Sequence, residues 1–397
     1  MTATLRFGVL GLGMGGAAML AAMARHPDIA VVAAADLHAA HRERFEADFA
    51  GRTYSDAEPL CASPDVDVVY IATPHQFHAG HVEMAAAHGK HVIVEKPMAL
   101  TLAECDRMIA ATERAGVTLV VGHTASFNPS VQRMRRLIIS GEVGRLAMIS
   151  ATAYSNFLYR PRRPEELVTE LGGGILFNQV PHQVDAARFI GGGMVRSVRA
   201  TTWVLDPQRP TEGAYMALLD FEEGAAASLV YSGYDHFESA DITAGRGVQA
   251  PERYGAGRRA LHDLASAGQE LALRLGTGLA GRTATLLGQE GGELLQGELG
   301  TFIVTCAGAD LRLAPEGVAA YTTGGLRLLP PAPYRGAPGR GSVLDELYYA
   351  VTEDRPVVHS GRWGKATMEV CLAVQQSAQE RREVELVHQV PTVDPEA

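Results

Sequence analysis

The chain has 397 residues, of which 47% are hydrophobic, enough for two or three domains of about 100–200 residues with filled cores. A formal net charge of −10, spread along the chain, excludes the basic face of a nucleic-acid binder, and no apolar run reaches the roughly 18 residues of a membrane span. Four separated cysteines, Cys61, Cys105, Cys306 and Cys371, form no CxxC pair; with no signal-peptide pattern at the N-terminus, they are expected to be free thiols of a cytoplasmic protein.

The first 125 residues alternate. β-rich runs at 5–10, 29–35, 66–72, 91–95 and 118–122 are separated by alanine-rich segments at 17–25, 78–88 and 102–115. Such alternation predicts βαβ units and a doubly wound parallel sheet. Thr101-Leu-Ala-Glu104 is a capping box, and Asn128-Pro129 a cap followed by proline at the first helical position. Beyond about residue 145 the pattern changes. One helix is expected at 175–190, then strands at 195–204, 214–221 and 225–231, the last two joined by Glu222-Glu223-Gly224. Residues 238–300 read as a partly helical insertion, with helices near 258–267 and 270–275. Strands at 301–306, 311–314 and 326–329 and helices at 342–353 and 363–380 complete the chain. The expected organisation is a dinucleotide-binding domain at 1–125 and an α+β domain at 126–397 with a mostly antiparallel sheet.

Gly11-Leu-Gly13-Met-Gly15-Gly16 fits G-x-G-x-x-G through Gly11, Gly13 and Gly16. It follows an apolar strand and opens a helix at about Met14, and Asp36 ends the next strand. That context makes the motif a Rossmann dinucleotide fingerprint. The glycines admit the pyrophosphate, the helix N-terminus supplies free N–H groups, and Asp36 can accept hydrogen bonds from the adenosine ribose. A carboxylate there favours NAD, since it would repel a 2′-phosphate; nearby Arg42 keeps NADP open.

Glu95-Lys96-Pro97 follows directly on a strand, at the end of the sheet where ligands bind. An ammonium there can hydrogen-bond a substrate hydroxyl and stabilise an alkoxide as hydride leaves. His75, His78 and His81 recur at three-residue spacing, but no acidic or cysteine partner lies nearby, and no metal is expected. His75, beside Thr73-Pro74, is expected to line the nicotinamide pocket. His123, at another strand end, and Tyr154 and Asn156 are candidates for substrate contact. Arg160, Arg162 and Arg163 form a cluster stiffened by Pro161 and Pro164. They read either as a carboxylate clamp or as a surface loop neutralised by Glu165, Glu166 and Glu170.

Asp67-Val-Val-Tyr-Ile-Ala-Thr-Pro-His75, Gly89-Lys-His-Val-Ile-Val-Glu-Lys96-Pro97 and Gly172-Gly-Gly174-Ile-Leu-Phe-Asn178-Gln-Val-Pro-His182-Gln-Val-Asp185 together resemble the glucose–fructose oxidoreductase / inositol dehydrogenase (Gfo/Idh/MocA) family. The resemblance spans nearly the whole chain. It implies NAD(H) or NADP(H) held in part by Thr73, Pro74, His75, His78, Glu95 and Lys96, a small-molecule substrate, and a homo-oligomer, dimer or tetramer. It also implies catalytic roles for Lys96 and His182. The family often has aspartate where this chain has Asn178. The four-residue spacing puts Asn178 and His182 on one helix face, and an amide cannot stabilise an imidazolium as a carboxylate can. His182 is then open to two readings, a base or a neutral hydrogen-bonding partner.

Tyr159-Arg-Pro-Arg-Arg-Pro-Glu-Glu166, Phe177-Asn-Gln-Val-Pro-His-Gln183, the 238–300 insertion, Asp345-Glu-Leu-Tyr348 and Gly361-Arg-Trp-Gly-Lys-Ala-Thr367 are most similar to the phthalate dihydrodiol dehydrogenase branch. That implies hydride removal from a carboxylated cis-dihydrodiol, followed by tautomerisation to a catechol. Two alternatives stay open: a sugar or cyclitol oxidoreductase using the same lysine, and a non-catalytic sensor that binds NAD.

Overall fold

The computed structural model describes residues 4–122, 125–243, 254–281, 299–334 and 339–394. His123 and much of the 238–300 insertion lie outside the described residues. The chain forms two compact units, one of Met1–His123 with Leu271–Glu293 and Tyr334–Lys365, the other of Thr124–Glu270 with Leu294–Pro333 and Ala366–Ala397.

In the first unit the strands are β1 (Leu5–Leu10), β2 (Ile29–Ala35), β3 (Arg52–Tyr54), β4 (Val68–Ile71), β5 (His91–Val94) and β6 (Leu119–Val121). They form one parallel sheet in the order β3-β2-β1-β4-β5-β6. Helices cover both faces of such a sheet, so its central strands are apolar on both sides. Phe7 and Val9 of β1, all of β4 and Val92–Val94 of β5 are accordingly buried. Helices Met14–Met23, Ala39–Phe49, Ala57–Cys61, His78–Ala87 and Leu102–Ala115 connect the strands. The capping box is present: Thr101 Oγ1 accepts the Glu104 N–H, while Glu104 accepts the Thr101 N–H. A later stretch completes this unit. His26 Nε2 lies 3.0 Å from Asp345 on the helix Arg340–Glu353, and the Val121 N–H donates to the His359 carbonyl.

The second unit holds β7 (Leu146–Tyr154), β8 (Val195–Trp203), β9 (Ala214–Phe221), β10 (Ala226–Ser232), β11 (Thr301–Cys306), β12 (Ala309–Ala314), β13 (Gly317–Thr322), β14 (Gly325–Leu329) and β15 (Val384–Glu385). Their order is β14-β13-β12-β11-β7-β10-β9-β8-β15. All neighbours are antiparallel except β7 and β10. One face is core: Tyr215, Ala217, Leu219 and Phe221 of β9 are buried beside Ala227, Leu229 and Tyr231 of β10. Helices Pro129–Ile139 and Val180–Gly191 pack on this sheet.

The single helix expected at 175–190 is two, Gly174–Asn178 and Val180–Gly191, parted at Gln179. Pro181 is the reason. Proline has no N–H for the helical ladder, and its ring clashes with the carbonyl four residues earlier. It is accommodated in the first turn of a new helix instead.

No helix among the described residues is long and apolar enough to cross a membrane. The four cysteines are free and buried. Burial pushes the thiols of Cys61 and Cys105 up to about 11 and about 12, which keeps them protonated and unreactive.

Candidate active site

The strand order of the first sheet reverses between β1 and β4, and open α/β sheets bind ligands outside the carboxyl ends of the strands at that point. Gly11 follows β1, Asp36 follows β2, Thr73 follows β4 and Glu95 follows β5. Gly11 has φ +95°, and a Cβ there would lie 2.7 Å from the Ala72 carbonyl oxygen. A Cβ on Gly16 would collide with the Gly11 carbonyl oxygen, so the helix can pack this close only with glycine. A Cβ on Gly13, by contrast, would meet nothing within 4 Å. That open cradle sits at the start of the helix Met14–Met23, whose first turn no side chain caps. It fits an anionic pyrophosphate, with N–H groups and the helix dipole facing it. Met14 itself is exposed.

Asp36 is held rigidly. Its Oδ2 accepts the Leu12 N–H at 2.7 Å, its Oδ1 accepts the His38 N–H at 2.8 Å, and His41 Nδ1 lies 3.4 Å from Oδ1. Burial acts to raise its pKa, but His41 and the two N–H groups outweigh it and hold the carboxyl below its ordinary value. Arg42 donates to the carbonyls of Asp36 and Leu37, at 2.7 and 3.1 Å. The cradle and the fixed carboxylate together fit the pyrophosphate and ribose of NAD.

At the ends of β4 and β5, Pro74 caps the short turn His75–Phe77. Thr73 Oγ1 lies 3.0 Å from His81 Nδ1. His78 is fully buried, with Nδ1 3.0 Å from the Pro97 carbonyl and Nε2 2.9 Å from the Thr73 carbonyl. The ring sits between the Thr73 loop and the loop carrying Lys96, and in its neutral form it donates to one of the two carbonyls. Burial lowers its pKa, against the pull of those carbonyls, and burial beside His78 pulls His81 down to about 4. Glu95 accepts the Tyr70 hydroxyl proton at 2.5 Å and lies 3.4 Å from Arg340. Its other oxygen accepts the Lys96 N–H at 3.2 Å. The backbone on either side of the half-buried Lys96 is therefore anchored. His75 is half-buried and its ring meets His78 edge-on at 5.7 Å between centroids.

In the second unit, His182 is buried in the first turn of Val180–Gly191, its N–H donating to the Gln179 carbonyl at 3.1 Å. Asn178 ends the preceding helix. Its amide donates to the carbonyls of Gly174 and Gly172, at 2.8 and 3.3 Å. The helix expected to set these two residues on one face is thus broken between them, and Asn178 is occupied in closing the glycine turn. A carboxylate cannot make those bonds and would face the negative end of a helix. Asn178→Asp is expected to cost about 1–3 kcal/mol of stability, read from urea unfolding; a variant as stable as the parent would show that these bonds do not hold the turn.

The three arginines of the 160–163 loop have different surroundings. Arg162 is buried, its guanidinium 3.9 Å from the Phe157 ring centroid and bonded to the Phe157 carbonyl at 2.5 Å. Arg163 lies 3.5 Å from both Glu165 and Glu166. Arg160 is exposed and donates to Asn156 Oδ1 at 3.0 Å. Tyr154 is half-buried and meets the Phe237 ring edge-on at 5.5 Å.

Three neighbours of the sequence-derived residues have no local signal: His41 beside Asp36, Arg340 beside Glu95, and Leu279, whose N–H donates to the Leu12 carbonyl at 3.0 Å.

Comparison with known proteins agrees with this architecture. The family model for oxidoreductases with an NAD-binding Rossmann fold matches residues 5–123, and the GFO/IDH/MocA C-terminal domain model matches residues 131–246. The chain is 40% identical over 383 residues to a 1-carboxy-3-chloro-3,4-dihydroxycyclohexa-1,5-diene dehydrogenase of Comamonas testosteroni, covering 93% of this chain and 94% of that protein. A solved structure from Bordetella bronchiseptica RB50 is similar at 43% identity and TM-score 0.89, over 96% of this chain and 100% of the other. An Agrobacterium radiobacter oxidoreductase solved with NAD+, L-tartaric acid and magnesium shares the fold at 21% identity and TM-score 0.70, over 96% of this chain and 98% of the other. The chain belongs to the Gfo/Idh/MocA oxidoreductase family, whose N-terminal domain is an NAD-binding Rossmann fold.

Proposed function

We propose that this NAD-dependent oxidoreductase oxidises a carboxylated cyclic cis-dihydrodiol. The observation that carries the reading is the 40% identity, over nearly the full length of both chains, to a dehydrogenase of a carboxylated dihydroxycyclohexadiene. The Gly11–Gly16 loop and Asp36 would hold NAD, which when bound would supply the hydride acceptor for oxidation of the substrate's carbinol carbon. Lys96 stabilises the developing alkoxide and takes the hydroxyl proton as the C–O bond becomes a carbonyl. His182 hydrogen-bonds the substrate and helps to orient it. The hydroxyketone then loses its remaining ring C–H proton and gains one on the carbonyl oxygen. A catechol that keeps the ring carboxylate results, and aromatisation makes the oxidation favourable.

Among the three clustered arginines, Arg160 is the one whose exposure suits it to a substrate carboxylate. Arg160→Ala is expected to raise KM for a carboxylated diol by roughly 10–100-fold, one charged hydrogen bond's worth. It should change NAD affinity little and matter less for an uncharged diol. Steady-state kinetics on both substrates check this, and equal losses on both would remove the clamp.

The same reading includes a cytoplasmic homo-oligomer. Met148, Met216, Leu218, Tyr321, Leu326 and Leu328 are exposed large side chains on strands of the second sheet. Exposed apolar patches of this kind mark protein–protein contacts. Size-exclusion chromatography with light scattering tests it, and a monomer at working concentration would contradict it.

A further inference from the structure

The 238–300 insertion has no part in the fingerprint, yet residues 276–281 return to the dinucleotide loop of the first unit. Leu279 is fully buried, and its N–H donates to the Leu12 carbonyl at 3.0 Å. The Leu12 N–H is given to Asp36 at 2.7 Å. The residue between Gly11 and Gly13 is thus held at both its polar backbone atoms, one by the ribose-facing acid and one by the insertion. A second contact lies beside it. The buried ring of His41 places Nδ1 3.4 Å from Asp36 Oδ1, an ion-pair contact without hydrogen-bond geometry. On its other side the ring backs onto Gly278: a Cβ there would lie 2.6 Å from His41 Nε2, 2.7 Å from Cε1 and 3.3 Å from the Leu12 carbonyl oxygen. Any side chain at 278 must therefore move the imidazole, and the imidazole rests on Asp36.

We propose that residues 276–281 are a positioning element of the cofactor site, which sets the Gly11–Gly13 loop through Leu279 and steadies the Asp36 carboxylate through His41. This rests on the reading that the loop and Asp36 bind NAD. Its consequence is that part of the affinity for the adenosine half of the cofactor resides in a segment that the dinucleotide motif does not include.

The test is titration of the full-length protein with NAD, with adenosine 5′-monophosphate and with nicotinamide mononucleotide as separate probes. Gly278→Ala is expected to raise Kd for NAD and for adenosine 5′-monophosphate by about tenfold, the equivalent of about 1.4 kcal/mol, and to leave that for nicotinamide mononucleotide unchanged. The effect runs through His41, so an alanine at 278 should add nothing once His41 is alanine; in a double-mutant cycle the losses should be strongly non-additive. Leu279→Pro removes the N–H and should weaken NAD binding more than Leu279→Ala, which keeps it. Where the proline variant does not fold, the Gly278–His41 cycle decides. If the parent binds NAD and Gly278→Ala binds it equally well, or if losses add in the cycle, the positioning role is overturned while the cofactor assignment stands. A parent protein that does not bind NAD overturns both.

Discussion

Replacing Lys96 by alanine is expected to lower turnover by at least about 10²–10³-fold, the usual cost of removing a stabiliser of developing oxyanion charge. Loss of the proton acceptor lowers it further. NAD affinity should change little, because the pyrophosphate cradle and Asp36 are built from other loops. Lys96→Arg separates the two contributions. A guanidinium keeps the positive charge but stays protonated, so it should retain some charge stabilisation and recover none of the proton transfer. The positions of Glu95 and His78 sharpen this expectation. Glu95, bonded to Tyr70 and 3.4 Å from Arg340, and His78, packed between the Thr73 and Pro97 carbonyls, hold the backbone around Lys96. A substitution at 96 should therefore remove chemistry without collapsing the loop. Stopped-flow and steady-state measurements of NADH formation check it. Turnover within about tenfold of the parent would show that Lys96 is not the acid/base.

Arg188→Met is expected to produce the largest loss of stability, about 3–5 kcal/mol, as for other broken buried charge clusters. Arg188 is fully buried on the helix that carries His182. Its guanidinium donates to Gln389 at 2.9 Å and to Thr367 at 2.8 Å, and its charge faces Asp185. Burial pulls its pKa down to about 9, with the Asp185 charge opposing the shift. Asp185 is itself buried and accepts the Ser126 N–H at 2.9 Å. Methionine fills much of the volume but leaves that carboxylate without its cation. Urea unfolding with a fixed m-value measures the loss. A change under about 1 kcal/mol would mean that the pair contributes little net stability.

Much of the first unit is legible in the sequence because parallel strands buried on both faces are continuous apolar runs between glycines and caps. β1 and β2 span 5–10 and 29–35 as read. β3 is not legible: it is three residues long, at a sheet edge, and only partly buried. In the second unit β7 and β13 escape notice. Their sequences, LAMISATAY and GVAAYT, are rich in small residues, and their strand character comes from neighbours on both sides rather than from their own pattern. The break at Gln179 was visible in Pro181, but apolar residues on either side of it mimic one continuous helix. At the site, the glycine loop, Asp36 and Lys96 are legible because their chemistry depends on local spacing and strand ends. Which arginine of the 160–163 loop stays exposed is not: Glu165 and Glu166 are legible as partners, but that Arg163 takes them while the Arg162 guanidinium packs on Phe157 depends on the conformation of the loop. Nor is Leu279 beside Leu12, or Arg340 beside Glu95; both contacts close long loops with no local signal.

The most direct test of the substrate assignment is a side-by-side assay of the purified protein with NAD. The substrates are a carboxylated cis-dihydrodiol, its uncharged counterpart, a hexose and myo-inositol, with NADH and aromatic product both quantified. NADH and a carboxylated catechol are expected in equal amounts from the carboxylated diol, with kcat/KM roughly 10–100-fold above that for the uncharged diol and little or no reaction with hexose or inositol. NAD reduction by the sugar or cyclitol but not by the diol, or binding of NAD without turnover of any of the four, would contradict it.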